Sequence, residues 1–544
     1  MCTEQEIQYR CRPYVCGALG RWDATVLHRL LAASPAGLDE AHTCGAATLW
    51  STSGLHPWTA GQRRGYFWAP LAGGPLPTSL QDAAGRRLAA GLVIDDQEAT
   101  LHTCALGMQE LYIRRLGDAL YFAVRIDPLL NLADAPLHTD WSAWASILAL
   151  AGPLGDSTPF QEVRRVVAAT AWSTEGCALE QLRFDPSWLH IEPHSAPSAA
   201  EIVELVSQQI PAGSQRRTAV ALSGGWDSRL LASIAQSRSP QRLLAWTTSP
   251  DDGIDLDIKY ARSVAKTLGM DHRVVAPGPE AWVEERLVVW HRVQHQTWMH
   301  TWAMPLARRL HRRPERLLDG LAGDVLLKSF LVDHEVAHAQ GSTMRKLLWT
   351  KLSGGRLDVP QCFAPGVAET FEDASRADFD DATSHLDEHP AAPALAVLLT
   401  RTARAIASSP TWAFGPEADV LVPFVHPDVI TTALRVPVTA KIGGGFYRDV
   451  LASASADVAA LPSTNDPGPE PFKATRRATS PTALMAMADA IRANNEVHRL
   501  LGPRLQRALT DAEALAQIWR RPRVLRILQW ASMFADWQSA HRTG

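Results

Sequence analysis

The chain predicts an α/β fold in two domains, the second built on a doubly wound parallel sheet, and three stretches carry that prediction. Residues 218–229, Thr-Ala-Val-Ala-Leu-Ser-Gly-Gly-Trp-Asp-Ser-Arg, run from a short apolar strand through a small-residue loop into a helix start. Residues 317–327, Leu-Leu-Asp-Gly-Leu-Ala-Gly-Asp-Val-Leu-Leu, repeat the scheme with an apolar strand, a glycine loop and a carboxylate. Between them, residues 243–250 read as the next parallel strand and residues 255–268 as the helix after it. Strands and helices alternating in this order build a doubly wound sheet that binds its ligand at the carboxyl ends of the strands.

The first loop leaves backbone N–H groups aimed at one point, where the positive end of the helix dipole also lies, so it is a phosphate cradle. No Gly-Lys-Ser/Thr follows, so no lysine is placed on a terminal phosphate and γ-phosphate transfer is not expected. Ser-Gly-Gly-x-Asp-Ser resembles the pyrophosphate-binding loop of the N-type ATP pyrophosphatases, which attack the α-phosphate of ATP and release pyrophosphate. The resemblance implies that Ser223, Gly224, Gly225 and Ser228 hold the leaving pyrophosphate, that Leu222 and Thr247 lie beside the nucleotide, and that Asp227 holds Mg²⁺, an ion suited to hard oxygen ligands.

The second loop resembles the Ser-Gly-Glu-Gly-Ser-Asp-Glu segment of asparagine synthetase-type amide ligases. That implies Gly320 beside the adenine and Asp324 as the second magnesium aspartate; taken alone, Asp324 also reads as a helix N-cap. Residues 420–426, Val-Leu-Val-Pro-Phe-Val-His, resemble the Arg-x-Pro-Phe-Leu-Asp segment of the same ligases, with His426 where the aspartate would stand. Tyr447-Arg448-Asp449-Val450-Leu451 and Leu461-Pro462 follow at about the spacing expected, so the resemblance covers nearly all of residues 200–480. It also asks for a late positive charge on the α-phosphate, for which Lys473, Arg476 or Arg477 are candidates and Arg448 a lesser one. Asp255 and Asp257 read as helix-start carboxylates with no catalytic part.

Size and charge agree with an enzyme of this kind. A chain of 544 residues exceeds what one core supports. With 53 basic and 57 acidic residues, the net charge of −4 gives no reason to expect nucleic acid or an anionic membrane as partner. No apolar run approaches the roughly 20 residues of a membrane span, and the amino terminus lacks the basic-then-apolar pattern of a signal peptide, which predicts a cytoplasmic protein. Seven cysteines without a Cys-x-x-Cys pair argue against a disulfide framework and against structural zinc; Cys11, Cys44, Cys104 and Cys362 read as small hydrophobes.

The domain boundary is expected in residues 194–200, His-Ser-Ala-Pro-Ser-Ala-Ala, giving a first domain over 1–195 and a ligase domain over 200–544, whose opening amphipathic helix covers 200–210. Short apolar stretches such as 119–124 alternate with glycine turns in the first part and predict sheets. Residues 117–128 resemble the late strands of the glutaminase domain, of the Ntn type, that precedes the synthetase domain in class II amidotransferases. Cys2 stands where that family exposes its nucleophile, but Thr3 replaces the following glycine, and the arginine-glycine-proline-aspartate and asparagine-glycine segments have no counterpart. A nucleophile without oxyanion donors lacks the largest electrostatic part of acyl transfer, so the domain reads as a relict scaffold. Residues 372–390 and 462–481 are expected to be mobile, the second as a lid.

If no ammonia is made, an amine already in the substrate must attack the acyl adenylate. Relatives without glutaminase activity do this: β-lactam synthetases close a four-membered ring, and lasso-peptide macrolactam synthetases join a peptide's amino terminus to an Asp or Glu side chain. Where asparagine synthetases carry a glutamate and β-lactam synthetases a tyrosine, this chain has Leu321, which moves no proton and suits a bulky peptide. Trp226 sits in the phosphate loop, and Trp298 and Trp302 lie four apart on an expected helix with His300 nearby, either packing the core or walling a peptide cleft. The whole pattern looks most like the lasso-peptide cyclases. That resemblance implies ATP and Mg²⁺ as cofactors, a precursor peptide as substrate, and the leader-binding protein and leader peptidase of such a pathway as partners. A glutamine-dependent asparagine synthetase, a small-molecule β-lactam or amide synthetase, and a non-enzymatic nucleotide-binding scaffold remain as alternatives.

Overall fold

The computed structural model describes residues 12–541 except 53, 69–84, 86–87, 96–97, 176–177, 192–195, 212–216, 249–255, 312–315, 416 and 467–476. Cys2, Cys11, Lys473, Arg476 and Asp255 therefore lie outside the described residues. No helix among those described is long and apolar enough to cross a membrane.

The first domain consists of two antiparallel sheets. β1 (Val15–Gly20), β2 (Asp39–Thr43), β3 (Ala47–Ser51), β8 (Tyr112–Leu116), β9 (Ala119–Ala123) and β10 (Arg164–Arg165) form one, in the order β10-β8-β9-β1-β3-β2. β4 (His56–Ala60), β5 (Arg63–Trp68), β6 (Ala90–Asp95), β7 (Glu98–His102), β11 (Thr170–Glu175) and β12 (Ala178–Arg183) form the other, in the order β12-β11-β7-β6-β5-β4. Leu92 and Leu101 of the second sheet share one core with Cys16 and Ala18 of the first. The expected strand at 119–124 is β9, buried along its whole length.

The second domain carries a five-stranded parallel sheet of β13 (Thr218–Ala221), β14 (Leu244–Thr248), β15 (Asp271–Val275), β16 (Arg316–Leu318) and β17 (Asp419–Leu421), in the order β15-β14-β13-β16-β17. Val220 pairs with Ala245 on one side and Leu318 on the other. Strand order reverses between β13 and β16, so the switch point of this doubly wound sheet falls between the two glycine loops. The helix ahead of β13 spans Ala199–Gln208, started by Ser198, whose side chain accepts from the Glu201 N–H.

Arginines of the second domain fasten it to the first. Arg356 donates to the carbonyls of Leu148, at 2.9 Å, and Ala149, satisfying the end of the Trp141–Leu150 helix. Arg404 reaches the Pro153 carbonyl at 2.9 Å. Trp530, on the last helix, Pro522–His541, donates its indole N–H to the Trp144 carbonyl at 3.1 Å.

Two expectations about local order are corrected. Residues 372–390 belong largely to an ordered helix, Val367–Thr383: Phe371, Ser375, Phe379 and Thr383 recur every fourth residue on one buried face, and Asp378 accepts from Ser142 and Ser146 of the Trp141–Leu150 helix. Burying the two phenylalanines contributes about 1.5–3 kcal/mol each, which outweighs the acidic composition of the outer face. Residues 294–302 are not a helix carrying Trp298 and Trp302. The Ala281–Arg292 helix stops there because Gln294, His295 and His300 take φ of 54°, 57° and 75°. Trp298 donates to the Ile147 carbonyl of the first domain, while Trp302 turns toward the second domain's cleft.

Candidate functional site

A cleft of about 300 Å³ opens at the carboxyl ends of β13 and β16, lined by Leu222, Ser223, Asp227, Asp319, Gly320, Leu321, Asp324 and Arg401 among others. Its volume sits at the small end of ligand pockets. Several features of the local chain build it.

The loop after β13 enters the Trp226–Ser237 helix through Gly225, an extended N-cap with no side chain to satisfy the first-turn N–H groups. Oxygens from elsewhere fill that role. Gly224 N–H donates to Asp257 Oδ1 at 2.7 Å, Trp226 N–H to Asn465 Oδ1 at 3.1 Å, and Gly225 N–H to Ser223 Oγ at 3.2 Å. Ser228 Oγ accepts from the Ser223 N–H at 2.9 Å. A cradle that gathers a carboxylate and an amide oxygen has the polarity that phosphate oxygens require. A Cβ on Gly224 would meet Thr464 Cγ2 at 2.7 Å and Asp257 Oδ1 at 3.0 Å, so the close approach of the 464–465 segment depends on glycine. Arg229 holds that segment down, donating to the carbonyls of Gly224, Leu461 and Pro462.

Asp227 stands in the first turn of the helix and leans onto the second loop. A Cβ on Gly320 would lie 2.8 Å from its Cβ, and one on Gly323 2.8 Å from its carboxyl carbon, so the glycine spacing makes room for this carboxylate. The Tyr447 hydroxyl donates to Asp227 Oδ1 at 2.7 Å. Asp324 opens the short Gly323–Lys328 helix, reached through Ala322 in a left-handed conformation at φ 72°. Asp319 accepts the Leu321 N–H at 2.9 Å. Burial raises the pKa of all three carboxyls: Asp227 well above the usual range, with repulsion from Asp324 adding to desolvation; Asp324 upward against the pull of Arg401; and Asp319 to about 6. Hard oxygen donors whose charge is suppressed by desolvation and by one another fit a divalent cation such as Mg²⁺.

The other expected residues are placed as follows. Thr247 Oγ1 donates to the Leu222 carbonyl at 2.7 Å and lies 2.8 Å from His272 Nε2, so it braces β14 and the loop, while the next residue, Thr248, lines the cleft. Arg477 is outside the cleft lining, fully buried in an ion pair with Glu285 Oε2 at 2.5 Å. Arg448 stands over the Trp226 ring at 5.0 Å, as does Lys328 at 5.0 Å, and Asp466 is 3.9 Å from Arg448. His426 accepts the Asp428 N–H at 3.3 Å and caps the Pro427–Leu434 helix, a local structural task.

Sequence reasoning missed Arg401, Asp319, Tyr447 and the part played by Asp257. Arg401 comes from Leu398–Ile406, a stretch of π-helix that, with a second one at Ser409–Phe414, supplies one wall of the cleft. Such wide turns are rare and concentrate at functional sites, but none of the motifs read from the sequence reaches residues 398–414. Asp319 carried a usable signal, since an aspartate between a strand and Gly320 is placed for an Asx turn beside the ligand end of the sheet.

A doubly wound sheet with a phosphate-type cradle and paired carboxylates at its switch point defines a nucleotide-site architecture. Residues 203–539, more than half of the chain, match the asparagine synthase family, and the chain belongs to that family. It is accordingly an ATP-dependent ligase of asparagine synthetase type, in a family that uses ATP, typically with Mg²⁺. No curated protein matches the chain. Among solved structures it is similar to a glutamine phosphoribosylpyrophosphate amidotransferase from B. subtilis complexed with ADP and GMP, at 10% identity and TM-score 0.21, over 48% of this chain and 90% of that one. A structure described as the allosteric regulatory enzyme of purine biosynthesis gives 10% identity and TM-score 0.21, over 49% and 82%. Likenesses at this level say nothing about the site.

Proposed function

We propose that the chain is a peptide macrolactam synthetase of the lasso-peptide type, which adenylates an Asp or Glu side chain of a precursor peptide and joins it to the peptide's own amino terminus. The supporting observation is Leu321, buried in the cleft wall three residues before Asp324. Where the ligation of a free amine or of a β-amino acid would call for a proton-handling side chain, the wall is apolar, and Trp246, Trp302, Leu306, Phe330, Pro410 and Phe414 continue it. Aromatic and aliphatic walls fit a peptide substrate that brings its own polar groups.

In this reading Ser223, Gly224, Gly225 and Ser228 receive the pyrophosphate once Asp257 and Asn465 yield their N–H partners. Asp227 and Asp324 would hold Mg²⁺, which neutralises charge on the departing pyrophosphate. Arg401, whose charge acts on Asp324, supplies a cation to the same cleft. The side-chain carboxylate attacks the α-phosphorus and pyrophosphate leaves; the amine then attacks the acyl carbon, AMP leaves and the amine gives up a proton. Proximity of amine and acyl carbon is worth up to about 7–11 kcal/mol, and apolar walls keep out water that would hydrolyse the adenylate.

The test is a peptide with a free amino terminus and an Asp or Glu at ring distance, incubated with ATP and Mg²⁺ but without glutamine or ammonia. The expected product has lost one water by mass. Product that appears only with glutamine, and disappears in Cys2→Ala, would replace this reading with an amidotransferase. Pyrophosphate release driven by a small β-amino acid would favour a β-lactam synthetase.

A further inference from the structure

The last helix meets the Ala281–Arg292 helix through a polar knot set in apolar packing. Asp536 Oδ2 lies 2.9 Å from His295 Nε2 and 3.7 Å from His291 Nε2. The two imidazoles stand edge to face, centroids 5.0 Å apart at 71°, and one donor atom from each of the three residues lies within 4.8 Å of the others. The His541 ring is 6.1 Å from that of His295. The first domain reaches the same place through Arg125, which donates to the His291 carbonyl and to Asp127, each at 2.9 Å.

Three features exceed what a single hydrogen bond requires. Both imidazoles present the same ring nitrogen to one carboxylate oxygen, although a neutral His–Asp hydrogen bond needs only one. The separations from that oxygen, 2.9 and 3.7 Å, bracket the donor spacing of about 3.0–3.5 Å set by metal–ligand bonds of about 2.0–2.2 Å at octahedral to tetrahedral angles, so shared coordination needs only small movements of the imidazoles. The backbone also bends to make the group: Gln294 and His295 both take left-handed φ, a cost of about 1–2 kcal/mol each. Gln294 is anchored by the Ile126 N–H, which donates to its side-chain Oε1, and by donation from its Nε2 to Glu110 at 2.9 Å, and the turn brings His295 beneath His291.

We propose that His291, His295 and Asp536 form a binding site for a divalent transition metal of the zinc, cobalt(II) or nickel(II) class, which ties the C-terminal helix to the joint between the domains. Two imidazoles and a carboxylate are a borderline donor set that suits these ions better than Mg²⁺, and a fourth position opens to solvent beside the half-exposed His291. The site stands apart from the nucleotide cleft, none of whose lining residues it uses. Coordination needs no redox partner: each imidazole offers Nε2 with its proton carried on Nδ1, so the Nε2 proton of His295 shifts within the ring when the ion replaces the hydrogen bond.

The experiment uses the full chain stripped with a chelator, loaded with one equivalent of Zn²⁺ or Co²⁺ in excess Mg²⁺, then desalted. Wild type is expected to retain one ion per chain by elemental analysis, to show the visible absorption of imidazole-bound Co²⁺, and to melt at a higher temperature with Zn²⁺ than without. His291→Ala, at a half-exposed position, should melt as cooperatively as metal-free wild type yet retain no ion and lose the zinc-dependent shift. Asp536→Asn should behave alike; if it fails to fold, His291→Ala decides. Wild type that keeps no ion after desalting, or His291→Ala that keeps as much as wild type, would overturn the proposal.

Discussion

Buried titratable groups serve opposite ends in the two domains. In the antiparallel sheets Cys16 and His102 stand apart from other charges, and burial pushes the Cys16 thiol up to about 12 and the His102 imidazole down to about 4, while the buried Glu110 carboxyl is matched by the Tyr112 hydroxyl and by Arg165 rather than by another carboxylate. At the carboxyl edge of the parallel sheet they are gathered: Asp227, Asp319 and Asp324 line one cleft beside Arg401, and their raised pKa values register desolvation, to which repulsion from Asp324 and Asp319 adds at Asp227. Neutral burial costs little and does no chemistry. Gathered carboxylates destabilise the chain alone and are relieved by a cation, so the comparison identifies the domain in which binding energy is stored for use.

The sharpest break in that contrast would come from Asp227→Asn or Asp324→Asn. Each should lower ATP–pyrophosphate exchange on the order of 10²–10³-fold while leaving the melting temperature equal to wild type or higher, because a buried repulsion is removed. Exchange at wild-type rate in either variant would remove that aspartate from the site. Next in size is Arg401→Met, which keeps the bulk of the side chain and deletes its charge. Losing a charge-assisted contact worth about 1.5–3 kcal/mol should cut kcat/KM by roughly 10–150-fold, and an unchanged value would make Arg401 a wall residue only.

Asp319 sharpens the comparison through pH. Its folded pKa of about 6 exceeds the 3.8 of an aspartate in water, so the folded chain holds the proton more tightly than the unfolded one. The stability it contributes is fully present below the unfolded pKa and is lost as pH rises through about 6, by up to about 3 kcal/mol. Asp319→Asn should therefore match wild type in denaturant unfolding near pH 4 and surpass it near pH 7.5 when Mg²⁺ and ATP are absent; an equal difference at both pH values would show that its charge is not strained. The smallest effect belongs to the first domain. Cys16 and Cys104 are buried with raised pKa values, so they should resist alkylation at neutral pH until the chain is unfolded, and labelling at wild-type stability would show that the domain opens.

Much of this site was legible because backbone geometry demands particular residues. Gly224, Gly320 and Gly323 are glycines since a Cβ at each would strike a neighbour, and small residues beside a carboxylate are visible in one dimension. The parallel sheet was legible for a related reason, as β13 and β16 are short apolar runs ending in such loops and β14 is a third short apolar run. Long-range geometry was not. Arg401 enters the cleft because residues 398–414 wind as π-helix, and Tyr447 meets Asp227 across 220 residues of chain. Arg477 looked like a cation for phosphate and proved to be the partner of Glu285, a pairing set by how the Pro481–Arg492 and Ala281–Arg292 helices pack. Residues 372–390 were misjudged from acidic composition, since the buried face of four residues was outvoted by the solvated one.

The central claim is that a substrate carboxylate is activated on the α-phosphate of ATP and then attacked by an amine of the same molecule. It is tested most directly with a substrate peptide whose side-chain carboxyl carries oxygen-18, by mass analysis of the nucleotide and pyrophosphate formed in a turnover without glutamine. The account predicts one labelled oxygen in AMP, none in pyrophosphate, and a ring product lacking one water. Label in inorganic phosphate with ADP as the nucleotide product, or AMP without label, would contradict it.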